Sequence, residues 1–133
     1  MLFVQAAVEN LPLELDGLAQ KVYVQFPWGS LLRIVANGEI ELLERIRRIC
    51  AANAVLEVIT GLDAQRDVSE ITRLGIFLPS TAMLIAKYQE AGFEITKHTE
   101  LNSDDWTHLQ TTWGRRLRGR ASRTLTFLSA RAI

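Results

Sequence analysis

Apolar and polar positions follow two different periods along the chain, and these periods predict strands alternating with helices. Short apolar stretches predict buried strands at residues 2–8, 21–26 and 54–62. Two later stretches, 93–101 and 123–130, are less uniformly apolar and predict strands nearer an edge of the sheet. Strands that alternate with helical patterns indicate an α/β fold in which helices cover the faces of a sheet.

The segments between these strands have apolar residues at helical spacing. They predict helices at residues 30–36, 39–53, 67–75 and 79–91, and a further helix that starts at an N-cap on Ser103 and continues past Trp113. Gly38, Gly75 and Gly92 are predicted to end three of the helices, because glycine readily adopts the left-handed conformation that closes a helix. A length of 133 residues predicts one domain, 1–133.

Composition indicates the compartment. No apolar run approaches the roughly 18 residues that a membrane span requires, and the first residues, MLFVQAAVENLP, lack the basic flank and longer apolar core of a signal peptide. The single Cys50 excludes an intramolecular disulfide and a cysteine-based zinc cluster, and its apolar helix face predicts an inert, buried thiol. We therefore expect a cytoplasmic protein without a membrane contact.

A formal net charge of zero conceals a division of charge along the chain. Residues 1–105 carry nine basic and 15 acidic side chains, whereas the last 28 residues carry six arginines and no acid. Arginine is well suited to phosphate because its planar guanidinium donates two parallel hydrogen bonds. The arginine-rich end therefore indicates either a nucleic-acid contact or a solvated surface, and charge alone favours neither.

Trp28 stands in an unusual setting, within the stretch QFPWGSLLR at residues 25–33. Pro27 fixes the backbone before it and Gly29 permits unusual angles after it, so the ring is aimed by a rigid turn. Trp28 and the stretch 9–12 each follow a predicted strand, and α/β sheets bind ligands beyond the carboxyl ends of their strands. A tryptophan belongs to a core more often than to a ligand site, but this position favours the ligand.

Three stretches resemble one family from end to end of the chain: LFVQAAVENLPLEL, VQFPWGSLLR and LQTTWGRRLRGRASRTLTFL. They are similar to the 16S rRNA (adenine-N1)-methyltransferases that confer aminoglycoside resistance. Those enzymes are class I methyltransferases that use S-adenosylmethionine (SAM) to modify one adenine of the ribosomal decoding site. The resemblance implies SAM as cofactor and 16S rRNA of the small ribosomal subunit as partner.

The resemblance also implies roles for particular residues. Residues expected near SAM are Ala7, Val8, Glu9, Ser30 and Thr111, the first three lining its adenine moiety. Trp28 and Trp113 match the two aromatic residues that hold the flipped target adenine between them. The expected rRNA-binding residues are Arg73, Arg115, Arg116, Arg118, Arg120 and Arg123, among which Arg116 and Arg123 match phosphate-binding positions of the family.

Some features depart from the family pattern. The family has an arginine directly before a glycine where this chain has Leu74, with Arg73 one place earlier, and Gly119 changes the spacing of the arginine loop. The Gly-rich loop and the acidic residue that hold SAM in class I enzymes have no counterpart here. The resemblance therefore implies the carboxyl-terminal half of a Rossmann-like sheet, strands four to seven with flanking helices. We expect such a half to self-associate through its exposed first strand.

The chemistry of adenine N1 fits these residues. N1 has a lone pair and no proton at neutral pH, so methyl transfer depends on alignment more than on a general base. The base must leave the helical stack to be reached, and two indoles can hold it on both faces. Two alternatives remain open: a non-catalytic RNA-binding remnant of this family, and a methyltransferase-like domain that acts on a small molecule. The isolated chain is expected to bind SAM weakly or not at all.

Several polar and aromatic residues also have purely structural interpretations. Trp106 shares an apolar helix face with Leu109, which predicts a core position. His98 and His108 lie on separate elements, so we expect no metal or catalytic role for either. Glu9 could cap the turn that follows it, and Ser30 could be a helix N-cap.

Overall fold

A computed structural model describes residues 6–62, 67–101 and 125–133. These ranges contain two 3₁₀ turns, Val8–Asn10 and Leu13–Leu15, followed by four strands and four helices. The strands are β1 (Ala19–Gln25), β2 (Cys50–Thr60), β3 (Phe93–Leu101) and β4 (Leu125–Ala132). The helices are α1 (Gly29–Asn37), α2 (Ile40–Ile49), α3 (Val68–Leu74) and α4 (Thr81–Glu90).

The four strands form one mixed sheet in the order β1-β2-β4-β3. β1 and β2 run parallel with Val24 beside Val58, whereas β4 is antiparallel to both of its neighbours, β2 and β3. The chain passes from β1 to β2 through α1 and α2, as a parallel connection requires. Of the two late strands predicted nearer an edge, β3 lies at an edge of the described sheet, whereas β4 lies inside it between β2 and β3.

The main core lies between one face of the sheet and helices α1, α2 and α4. Its members share complete or nearly complete burial, and the largest of them are Tyr88, Phe93, Ile34, Leu43 and Leu56. Ser80 caps α4 by accepting a hydrogen bond from the backbone N–H of Met83 at 3.2 Å. In α2, the buried residues Leu43 and Ile46 belong to the apolar positions at helical spacing.

The boundary between α2 and β2 differs from the prediction. The sequence predicts a helix to Asn53, but α2 ends at Ile49 and β2 begins at Cys50. Pairing decides this boundary: Ala19 of β1 lies beside Cys50, and the next pair is Lys21 with Val55. Asn53 has a φ of 64° within this irregularity. The helical preference of the alanines before it is thus overridden by strand pairing.

The predicted first strand is wrong at its carboxyl end. Ala6 and Ala7 are in neither helix nor strand, and Val8–Asn10 is a 3₁₀ turn. Val8 instead packs against the main core, so its apolar side chain is half-buried without strand pairing. The remainder of that strand, the helix predicted from Ser103 and the start of the last strand lie outside the described residues.

Glycine ends two helices as predicted. Gly38 follows α1 with a φ of 70°, and Gly75 follows α3 with a φ of 74°. These are left-handed conformations, which favour glycine because it lacks a Cβ atom. In the ranges that the structure describes, no helix has the length and apolar character needed to cross a membrane.

Candidate functional site

The turn after β1 presents Trp28 at the surface. Phe26 anchors the turn, because its side chain is buried with Ile59 and Leu125 and its backbone N–H donates to the Ile59 carbonyl at 2.8 Å. Its φ of 50° turns the chain away from the strand. Trp28 then occupies the N-cap position of α1 with 59% of its surface exposed. The rigid turn therefore holds the ring outside the core.

Gly29 and Ser30 form the start of α1. Gly29 is its first residue, with a φ of 60° and open space where a Cβ atom would lie. The helix thus begins one residue before Ser30, so the N-cap interpretation of Ser30 is wrong. The Ser30 side chain is exposed in the first turn. Buried Leu32 and Ile34 anchor the helix that carries it.

The segment Ala7–Glu9 lies beside α2. The Asn10 N–H donates to the Ala7 carbonyl at 2.9 Å, which closes the 3₁₀ turn. The guanidinium of Arg45 donates to the Glu9 carbonyl. Neither this turn nor the one that follows has a side-chain cap, so the capping interpretation of Glu9 is wrong. Ala7 and Glu9 are exposed and Val8 is half-buried.

Arg73 lies in the last turn of α3, at the surface. Its guanidinium donates to both carboxylate oxygens of Glu70, at 2.6 and 3.3 Å. This hydrogen bond lowers the pKa of Glu70 and raises that of Arg73. The other predicted residues of the site lie outside the described ranges, and these are Thr111, Trp113, Arg115, Arg116, Arg118, Arg120 and Arg123.

Arginines in the described ranges share one property: each has an intramolecular hydrogen-bond partner. Arg33 pairs with Glu39 at 2.9 Å, and Arg131 pairs with Glu94 at 2.8 Å. The remaining partners are Glu70 for Arg73, the Glu9 carbonyl for Arg45, the Cys50 and Ile133 carbonyls for Arg47, and Asp16 with the Leu11 carbonyl for Arg48. This part of the chain therefore uses its guanidinium groups to hold its own fold together.

Cys50 is buried, as predicted, but it is the first residue of β2 and does not lie on a helix face. Burial raises the pKa of the Cys50 thiol, and the nearby Arg47 opposes that effect. His98 Nδ1 lies 3.2 Å from the hydroxyl of Thr81. Among the residues described, no three His, Cys, Asp or Glu side chains come together as metal ligands would.

Sequence reasoning missed two features, a cavity beside the carboxyl end of β2 and a buried asparagine at the end of α1. A cavity of about 300 Å³ is lined by residues that include Thr60, Thr81, His98 and Glu100. Asn37 is buried, and its amide bonds the Gly75 carbonyl and the Phe77 N–H, each at 3.0 Å. No local pattern indicates this cavity or gives the partners of Asn37, which are 38 and 40 residues away.

The comparisons with known proteins decide the family. A family model described as NpmA, 16S rRNA (adenine(1408)-N(1))-methyltransferase, matches residues 1–132. The chain belongs to this family. The resemblance that its tryptophan and arginine motifs indicate is therefore confirmed at the level of family.

Two relatives with this name are similar over most of the chain. The 16S rRNA (adenine(1408)-N(1))-methyltransferase of Escherichia coli is 30% identical over 122 residues, and that of Streptoalloteichus hindustanus is 33% identical over 120 residues. Each alignment covers 88% of this chain but 56% or 55% of the relative. The chain thus spans little more than half the length of these NpmA-family relatives.

Solved structures agree with the mixed α/β fold. The aminoglycoside resistance methyltransferase NpmB1 superposes with a TM-score of 0.82 at 38% identity, covering 98% of this chain and 60% of that one. A variant of the 16S rRNA (adenine(1408)-N(1))-methyltransferase from Catenulisporales acidiphilia, crystallised with its cosubstrate SAM, gives a TM-score of 0.76 at 30% identity, with 96% and 59% coverage.

Proposed function

We propose that this chain is the base-binding part of an enzyme that methylates N1 of adenine 1408 in 16S rRNA and so confers aminoglycoside resistance. The observation that carries the proposal is the NpmA-family match over residues 1–132, together with a tryptophan that the turn after β1 holds at the surface. An exposed indole on a rigid turn is a suitable platform for a nucleobase, since stacking contributes roughly 1–3 kcal/mol per base.

SAM is the proposed methyl donor, and the described residues near its proposed site fit such a ligand. Ala6 and Ala7 are exposed and carry only methyl groups, so a flat adenine ring can approach the backbone there. Ser30 offers an exposed hydroxyl at the start of α1. SAM bound here would supply an electrophilic methyl group. From the family resemblance, the proposed cofactor residues are Ala7, Val8, Glu9, Ser30 and Thr111.

The tryptophans would hold the target base. Trp28 is proposed to stack on one face of the extruded adenine and Trp113 on the other, which places N1 for in-line transfer without a general base. The methylated product is a cation, and an indole face attracts a cation by about 0.5–2 kcal/mol. The two rings therefore suit both the substrate and the product of the reaction.

Phosphate affinity is assigned to the arginines between residues 115 and 123. This assignment is supported by the other arginines, since those in the described ranges have partners within the chain. Arg73 is proposed as an additional contact that would exchange Glu70 for a phosphate. Phosphate contacts supply affinity that falls steeply with salt, whereas the tryptophans select the base.

Incompleteness is the second part of the proposal. The chain spans 55–56% of its two relatives, and β1 is an edge of the described sheet. We propose that these residues are the carboxyl-terminal half of a class I sheet and that SAM binds the isolated chain more weakly than micromolar. Under this proposal the isolated chain does not transfer methyl groups. It would work in the cytoplasm, on the small ribosomal subunit.

RNA binding and methyl transfer test the function separately. The chain is expected to bind an RNA containing the decoding-site helix at low salt, and Trp28→Ala should weaken binding by the roughly 1–3 kcal/mol of one stacked base. Tyr23→Ala is the matched control, because Tyr23 is also an exposed aromatic residue but lies within β1. Equal effects of the two variants, or no RNA binding, would contradict the base-binding role.

Reconstitution tests incompleteness. Mixing this chain with the part of the Escherichia coli relative that it does not cover should restore methyl transfer from labelled SAM to small ribosomal subunits. Transfer by the isolated chain, or calorimetric binding of SAM at micromolar concentration, would overturn the half-enzyme proposal. RNA binding without transfer even after mixing would favour the alternative, a non-catalytic remnant.

A further inference from the structure

Two arginines of helix α2 hold the segment of residues 7–17, called the amino-terminal segment below. Arg45 and Arg48 are three residues apart, so their side chains leave α2 on the same face. Arg45 donates to the carbonyl of Glu9, and Arg48 donates to the carbonyl of Leu11 at 2.6 Å. The turn that carries the proposed cofactor residues is thus bonded directly to α2.

Arg48 also holds the end of this segment, where the chain approaches β1. Its Nε donates to the Asp16 carboxylate at 2.7 Å, and its backbone carbonyl accepts the N–H of Gly17 at 2.9 Å. One residue therefore binds the segment at Leu11, Asp16 and Gly17. Hydrogen bonds from a charged donor are stronger than neutral ones, and a guanidinium can make several in fixed directions.

The segment has little regular structure of its own. It contains two 3₁₀ turns of three residues each, neither with a side-chain cap, and most of its side chains are exposed. Val8 packs against the main core, and Leu11, Pro12 and Leu15 are half-buried as well. Arg45 and Arg48 supply the side-chain hydrogen bonds described between this segment and α2, and these bonds restrain the position of its backbone.

We propose that Arg45 and Arg48 are positioning residues that hold Ala7–Glu9 in place for the adenine moiety of SAM. This inference rests on the proposed function, since it takes the cofactor and its contact segment from there. The arginines act on the cofactor only through the backbone, because their guanidinium groups bond Glu9, Leu11 and Asp16. They belong to the cofactor site and not to the RNA surface.

Hydrogen exchange of the 133-residue chain tests whether Arg48 holds the amino-terminal segment. Arg48→Gln should speed exchange of the Asn10 and Gly17 amides by about tenfold, because local opening becomes easier where charged hydrogen bonds are lost. Arg48→Lys keeps the charge and should restore part of the protection. Arg33→Gln is the matched control, since it breaks a guanidinium–carboxylate contact to Glu39 elsewhere. Equal exchange in Arg48→Gln and Arg33→Gln would overturn the proposal.

Hydrogen exchange in millimolar SAM distinguishes a role of Arg48 in positioning the cofactor segment from a role in stability alone. It should slow exchange at residues 7–10 of the unmodified chain, and Arg48→Gln should raise the SAM concentration for half-protection at least several-fold while amides in β2 exchange as before. No SAM effect on these residues in the unmodified chain overturns the positioning role, even if Arg48→Gln loosens the segment. The proposed function is judged independently, by RNA binding and by methyl transfer after reconstitution.

Discussion

Tyr88 shows how much one side chain can contribute when its polar atom is buried. Its ring lies fully inside the core beside Phe93, and its hydroxyl donates to the Val35 carbonyl at 2.8 Å. Tyr88→Phe leaves that carbonyl without this donor, so we expect a loss of about 1–2 kcal/mol in the free energy of unfolding. Urea denaturation measures it, with Tyr23→Phe at an exposed position as the control.

Tyr88 also makes the free energy of unfolding depend on pH in the alkaline range. Burial raises the pKa of Tyr88, so its hydroxyl stays protonated in the folded chain where the unfolded chain already ionises, from about pH 10. The contribution of Tyr88 to the free energy of unfolding is therefore fully present below that pH and is lost as the pH rises above it. Tyr88→Phe should show a smaller fall between pH 9 and 11 than the unmodified protein, as read from urea midpoints. Parallel curves for the two proteins would contradict this linkage.

Gly92 joins two elements, α4 and β3, at a point of close approach. Its φ is 102°, and a Cβ atom there would lie 2.9 Å from Cγ of Arg47, whose guanidinium bonds the Ile133 carbonyl at 3.0 Å. Gly92→Ala should therefore strain the backbone and displace Arg47, at a cost above the roughly 1 kcal/mol of backbone strain alone.

Gly17→Ala is the matched control for this junction. Gly17 also has a positive φ, 71°, but open space surrounds the position of its Cβ atom. The difference in the free energy of unfolding between the two variants isolates the contact with Arg47. Equal destabilisation would mean that Arg47 moves aside without loss.

Under the proposed function, the arginines between residues 115 and 123 contact RNA, whereas the arginines of the described ranges have partners within the chain. We expect the affinity for 16S rRNA fragments to fall with salt, and each arginine removed between residues 115 and 123 to reduce that slope by up to about 0.7 to 0.9. Arg33→Gln and Arg131→Gln are controls, because both side chains already pair with acids. Equal slopes for tail variants and controls, measured by titration at several salt concentrations, would contradict the assignment.

β1 lies at an edge of the sheet that the described residues form, and such an edge predicts association between molecules. The first strand expected from the sequence lies mostly outside the described residues. Among the described strands, β1 has β2 as its sheet neighbour and exposes Tyr23. An edge with unpaired backbone groups tends to pair with another chain. Sedimentation velocity should show association that increases with concentration. A monomer at all concentrations would count against an incomplete sheet.

Most of the elements and the family could be predicted from sequence because both depend on local information. Helical spacing, glycine stops and strand patterns gave α1, α3, α4, β1 and β3 within a few residues. The motif around Trp28 and the tail arginines indicated the family that the comparisons confirm. The roles of the individual site residues stay predictions, and those between 102 and 124 lie outside the described part.

The amino-acid sequence by itself determined which faces are apolar, where the chain turns and which family it belongs to. Only the tertiary structure decided that β2 begins at Cys50, that Trp28 is exposed, and that Arg45 and Arg48 hold the amino-terminal segment. The physical reason is the range of the interactions. A turn or a helix depends on neighbouring residues, whereas strand pairing, burial and the partner of a guanidinium depend on residues that folding brings together from more than 30 positions away.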